Sequence, residues 1–308
     1  MAGKMKNIML LLSFVALLLG GGSVYLYRQW LLAKTVAFRV SIPEDKLDYD
    51  LYAAINYLKQ QFQVNGYRFA GTSFTGNLYP KELDDAKINV FIRGQNLFYD
   101  SRQRQDSLNI FYLHRYSHYL HNEETRNFDL YMSSQKDFFN FVEKDAKKIY
   151  IPAGAVKHKV LKPDYKYSVL VIYEWWDSEL AYTFQNYSDV KLIGCMNFIK
   201  LSQEEREKLL AQAVLVLYLQ ENNSGNDINY VPYAVYDIIS YGRPVMTNYS
   251  QALFNTMGDN VFYFSHVSDI GYNIDIALRM ARHNRENKAL KAREKLFQLP
   301  GLKLSLFN

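Results

Sequence analysis

The stretch Asn229-Tyr230-Val231-Pro232-Tyr233-Ala234-Val235-Tyr236-Asp237-Ile238-Ile239-Ser240-Tyr241-Gly242-Arg243-Pro244-Val245-Met246-Thr247-Asn248 decides how the rest of the chain is read. It predicts a helix with Pro232 in its first turn and Asp237 within it. Gly242 closes that helix, since glycine accepts the left-handed backbone a helix end favours, and Pro244 starts a strand. A helix that follows a parallel strand points its N-terminus into the crevice at the strands' carboxyl ends, the usual place for a ligand. Tyr230, Tyr233, Tyr236 and Tyr241 cluster around this helix.

Working outward, short β-branched or aromatic runs alternate with helical periodicity. Strands are expected at 36–40, 67–70, 88–92, 109–113, 129–133 and 148–151, then at 169–173, 190–193, 214–219, 244–247 and 261–264. Leu47, Leu51, Ile55, Leu58 and Phe62 recur on one helix face, which Asn65-Gly66 ends. Ser202 and Glu205 form a capping box that opens a helix to about residue 213. Further helices are expected at 135–146, 232–240, 267–283 and 286–297. Strands separated by helices require crossovers, hence parallel sheets covered on both faces. The predicted fold class is α/β, with two Rossmann-like domains over 35–160 and 161–308, joined around 152–167 and preceded by a segment at 1–34.

Composition sets the outer limits. Of 308 residues, 49% are apolar and 22% charged, which excludes a disordered or linker-dominated chain. The single cysteine, Cys195, excludes an internal disulfide framework and a multi-cysteine metal site; it reads as a small apolar residue ending a buried strand. A net charge of +5 falls short of a nucleic-acid-binding signature, and no nucleic-acid partner is expected. There is no phosphate loop, no G-x-G-x-x-G after the first strand and no G-x-S-x-G elbow. His114, His118 and His121, with Glu123 and Glu124, read as a solvated or active-site loop rather than a metal site. Lys288, Lys291, Arg293 and Lys295 read as a solvated helix face, with anionic lipid headgroups as the sharper alternative.

The 229–248 segment resembles the donor-binding element of GT-B glycosyltransferases. The similarity is strongest to the CgeB-type, spore-maturation-like group among the group 1 glycosyl transferases, and it extends through 201–205, 213–219 and 257–264. Phe111-Tyr112-Leu113-His114, the 122–126 turn and 129–134 resemble the end of that family's first domain. The resemblance implies a nucleotide-sugar substrate in an interdomain cleft, with no metal and no cofactor. It implies Asp237 on the donor ribose, Asn229, Tyr233 and Arg243 as further donor-side residues, and His114 as a base or acceptor-side group. Three positions depart from the pattern. Asp237 stands where the family has Glu, which retracts the carboxylate by about 1.5 Å. Ala234 replaces an Arg expected to meet phosphate, and Asn229 replaces the first acid. Losing a charge-assisted phosphate contact forfeits about 1.5–3 kcal/mol. A catalytically inactive relative, kept as an interaction or scaffold component of a membrane assembly with protein partners, is therefore a second expectation.

Residues 7–27 form an apolar run behind Lys4 and Lys6, about 31 Å long as a helix, and Tyr25, Tyr27 and Trp30 lie at an interfacial position. An uncleaved single-pass anchor is expected, in a bacterial inner membrane; Lys4 and Lys6 before the span nearly balance Arg28, Lys34 and Arg39 after it, so the charges do not set its orientation, and the cytoplasmic side is only slightly favoured for the soluble part. A cleaved signal peptide ending near Gly21-Gly22-Ser23 is the competing reading.

Overall fold

The computed structural model describes residues 33–74, 83, 86–93, 106–115, 128–185, 187–220 and 230–299. Strands β1 (Thr35–Val40), β2 (Arg68–Phe74), β3 (Ile88–Arg93), β4 (Leu108–Leu113), β5 (Leu130–Ser133) and β6 (Lys148–Tyr150) form one parallel sheet in the order β2-β1-β3-β4-β5-β6. Strands β7 (Tyr167–Tyr173), β8 (Val190–Gly194), β9 (Ala213–Leu219), β10 (Val245–Asn248) and β11 (Phe262–Phe264) form a second parallel sheet in the order β11-β10-β9-β7-β8. In both orders the chain reverses direction beside its first strand, the arrangement that opens a crevice at the carboxyl ends. Burial on both faces makes the strands largely apolar: every residue of β1 and β3 is buried, the Arg39 guanidinium donating to Asn89 between them, and so are all but one of β9.

Helix α1 (Tyr49–Val64) follows β1. Asp48 caps it by accepting from the Leu51 amide at 2.7 Å, and Gly66 releases the chain at φ 82°. Its inward face carries Leu51, Leu58 and Phe62, each worth about 1.5–3 kcal/mol on burial. In the second half come α2 (Ser178–Phe184), α3 (Cys195–Lys200), α4 (Gln203–Gln212), α5 (Tyr233–Ser240), α6 (Gln251–Met257), α7 (Ile270–Arg279) and α8 (Arg282–Gln298). α1 lies against α5, so one apolar core runs from Val36 and Phe38 in the first sheet to Val216 and Tyr218 in the second.

Several expected elements are corrected. The helix expected at 135–146 is a 3-10 turn, Lys136–Phe141, whose only buried residue is Phe138 under Phe111; one anchor is too little apolar face for a full helix. The helix expected at 267–283 breaks at Met280-Ala281. There the Arg285 guanidinium donates to the carbonyls of Ala277 and Met280 and so closes α7. The last helix starts at Arg282 rather than 286, and Pro232 is the N-cap of α5 rather than part of its first turn. Cys195 opens α3 instead of ending a strand, and burial raises its thiol pKa far above the ordinary range, which leaves it inert. α2, α3 and α6 are too short to show a period in the sequence. No described helix is long and apolar enough to cross a membrane. The 7–27 segment, with Asn229, His118, His121, Glu123 and Glu124, lies outside the described residues.

Candidate active site

Parallel strands deliver their following residues to one edge. In the first sheet β4 ends at Leu113, and the next two residues are His114 and Arg115. In the second, β7 is followed by Glu174 and β9 by Gln220. The N-terminus of α5 begins at Tyr233, and that of α1 carries Asp48, Tyr49 and Asp50. The two carboxyl-end edges face each other, and these groups meet between them.

The centre is Asp50, with 0% exposure. Its Oδ1 accepts from the Ala234 amide at 2.9 Å. Its Oδ2 accepts from the Tyr230 hydroxyl and, at 3.1 Å, from His114 Nε2, the proton being assigned from the network. Burial by itself would raise this carboxyl, but the His114 bond and charge, together with Arg115 and Tyr230, outweigh it and hold the group below its ordinary range. His114 is 3% exposed, its ring set edge-on to Tyr230 and tilted over Tyr233. Its Nδ1 is buried with no hydrogen-bond partner among the described residues.

Beside this centre the Arg115 guanidinium reaches across to Glu174 at 3.4 Å, lies over the Tyr230 ring, and is accepted by the Gln220 amide oxygen once that amide is oriented toward it. Glu174 also accepts from the Tyr218 hydroxyl. Burial pushes Glu174 up to about 7; Arg115 and Tyr218 pull it down, while Asp48 and Asp50 reinforce the rise. Asp48 is likewise raised, by burial first and by the charge of Asp50 second. Three carboxyl groups thus share one cation and one histidine, with Asp50 and His114 buried and Asp48, Arg115 and Glu174 partly exposed.

The sequence-predicted residues are distributed unevenly. His114 and Tyr233 are in this cluster, with Tyr233 fully buried and its hydroxyl 2.9 Å from that of Tyr112. Asp237 lies one turn further along α5, where it accepts from the Tyr49 hydroxyl at 2.7 Å and pairs with His158 Nε2 at 3.1 Å; its side chain is 15% exposed. The expectation for Arg243 is corrected. It sits at the amino-terminal end of the second sheet, 1% exposed, donating to the carbonyl of Ala213, the first residue of β9. The opposite end of the sheet is out of its reach. Asp50, Arg115 and Glu174 were missed. Arg115 and Glu174 lie within two residues of a strand's carboxyl end, a position that marks ligand-facing residues in this fold class; Asp50 carries no such signal. A cavity of about 640 Å³ between α2 and α7, lined by Glu179, Tyr182 and Asp275 among others, contains none of these groups. Among the described residues no cluster is arranged to hold a metal ion.

No family model matches the chain, and no curated protein matches it. Solved structures do. An α-glucosyltransferase in complex with UDP and a 13-mer DNA is similar over 86% of this chain and 95% of its own, at 10% identity and a TM-score of 0.55. The same coverage and identity, with a TM-score of 0.53, hold for an α-glucosyltransferase with UDP-glucose and DNA containing an abasic site. The DNA-modifying β-glucosyltransferase is similar over 86% of this chain and 94% of its own, at 9% identity and a TM-score of 0.50. At such identities the likeness shows the fold: the chain has the GT-B arrangement of two parallel α/β sheets.

Proposed function

We propose that the chain is a glycosyltransferase that moves a sugar from a nucleotide-sugar donor to an acceptor, anchored in the membrane through residues 7–27, with domains at 35–160 and 161–308. The observation that carries the reading is the meeting of His114 with the N-terminus of α5 across the two carboxyl edges. The donor diphosphate would lie at that helix N-terminus, whose amides and dipole favour an anion. Asp237 would take the ribose hydroxyls. His114, with Nδ1 uncommitted, is the acceptor-side base, and no metal or cofactor is needed when helix amides and cations hold the leaving group. Arg115 supplies the cation that Ala234 lacks, so the donor motif is altered rather than lost. Solved structures of the same fold hold UDP or UDP-glucose, and two of them also hold DNA; the modest net charge of this chain favours another acceptor.

Isothermal titration of the full-length chain with UDP-glucose tests the reading. Binding that Asp237→Ala weakens tenfold or more supports it, and binding that Asp237→Ala leaves unchanged removes Asp237 from the site. A second reading, an inactive CgeB-like scaffold component working with protein partners, is supported by one observation: the Asp50 carboxylate sits on the helix N-terminus where a donor would have to bind. Sugar transfer by the purified chain would end that reading.

A further inference from the structure

Each helix whose N-terminus carries a side-chain cap draws it from the adjacent residue: Asp48 for α1, Asp177 for α2, Ser202 for α4 and Ser250 for α6. α5 has none of its own, because its N-cap is Pro232. Its first-turn amide is satisfied by Asp50, 184 residues away and in the first turn of another helix. Asp50 plays no part in capping α1, since Asp48 already does so.

The donors converging on Asp50 come from two separate segments: the Ala234 amide and the Tyr230 hydroxyl from the first turn of α5 and its lead-in, and His114 Nε2 from the end of β4, with the Arg115 guanidinium beside them. A helix-terminal amide, a hydroxyl, an imidazole N–H and a neighbouring guanidinium make a donor set suited to a phosphoryl group. A carboxylate with two oxygens accepting in different directions satisfies the same donors. The next residue up, Tyr49, repeats the pattern one helical turn along α5, where its hydroxyl donates to Asp237 as a sugar hydroxyl would.

We propose that Tyr49-Asp50 is a built-in plug: the first turn of α1 occupies the donor site of the second sheet, Asp50 in place of a phosphoryl group and Tyr49 in place of a ribose hydroxyl, so that a diphosphate ligand binds only by displacing it. The ribose part rests on the nucleotide-sugar reading above; the anion part stands on the donor set alone. Displacement exchanges one anion for another on the same donors. It leaves Arg115 free to shift from Glu174 toward the incoming phosphate and leaves His114 Nδ1 uncommitted. The plug therefore acts as an autoinhibitory contact whose release couples ligand entry to separation of α1 from α5.

The test is calorimetric titration of the full-length chain with inorganic pyrophosphate and, separately, with UDP-glucose, in wild type and in Asp50→Asn. Asparagine keeps the shape and an oxygen for the Ala234 amide but removes the competing charge. Pyrophosphate is expected to bind Asp50→Asn at least tenfold more tightly than wild type, and Arg115→Met in that background is expected to reverse the gain. Equal or weaker pyrophosphate binding by Asp50→Asn, including none by either protein, overturns the plug. If Asp50→Asn does not fold, Asp50→Ser is held to the same criterion. Tighter pyrophosphate binding without any UDP-glucose binding sustains the plug and sinks the nucleotide-sugar reading. UDP-glucose binding equally to both proteins sustains that reading and sinks the plug.

Discussion

Two guanidinium groups, Arg243 fully buried and Arg115 partly exposed, serve opposite ends of the second sheet, and their surroundings differ. Arg243, at the amino-terminal end, donates to the Ala213 carbonyl and lies against the Tyr165 ring, whose hydroxyl donates to Glu286 at 2.5 Å. Burial lowers its pKa, yet arginine stays charged across the working range. Arg115, at the carboxyl end, pairs instead with a carboxylate that titrates near neutrality. A guanidinium fixed on a backbone carbonyl is committed to the fold. One held by a titrating carboxylate, next to a helix N-terminus, can be exchanged onto a ligand.

Four experiments break or sharpen this contrast. The largest effect is expected from Arg115→Met at pH 8, where Glu174 loses the cation opposite it; stability should fall by about 3–5 kcal/mol, shrinking markedly at pH 5 where the carboxyl can protonate. Urea denaturation at the two pH values checks it, and a loss independent of pH would make Arg115 no different in kind from Arg243. Arg243→Met is expected to cost about 2–3 kcal/mol by the same measurement at both pH values, because the Ala213 carbonyl loses its partner wherever the pH stands. A loss that grew between pH 5 and 8 would contradict the structural assignment.

The third experiment concerns Glu174. Its folded value of about 7 lies above the ordinary 4.5, so its contribution to stability is complete below pH 4.5 and is lost as pH rises through 7. Asp50, held low, works in the opposite sense: its contribution is present above its ordinary 3.8 and is lost as pH falls below it. Glu174→Gln should flatten the decline between pH 5 and 8 by on the order of 2 kcal/mol, read from melting temperatures across that range; an unchanged slope would move the titration elsewhere. Smallest is Tyr49→Phe, which removes one hydrogen bond to Asp237 and should cost about 1 kcal/mol in urea denaturation.

Much of the fold was legible because the signals are local. β-branched runs marked the strands, Asn65-Gly66 and Gly242 marked helix ends, and the Ser202–Glu205 capping box formed as expected. The 3-10 turn at Lys136–Phe141 and the break at Met280-Ala281 escaped because each is settled by a distant packing partner or a side chain further along the chain. The site was half legible. His114 stood out at a strand end, but Asp50, with ordinary first-turn residues on either side, gives no local sign that it serves a different helix.

By itself the sequence determined that this is a two-sheet parallel α/β protein, which of its strands are buried, and that a helix begins near Tyr233. Periodicity and capping act over a few residues, and those features need nothing more. Only the tertiary structure decided that Asp50 caps that helix, that Arg115 crosses to Glu174 and that Arg243 belongs to the other end of the sheet. These contacts join residues 184, 59 and 30 positions apart. The first two form because two sheets are brought edge to edge, where removing charged groups from water forces each to find a partner across the gap; the third forms within the second half, where a buried guanidinium takes the nearest carbonyl.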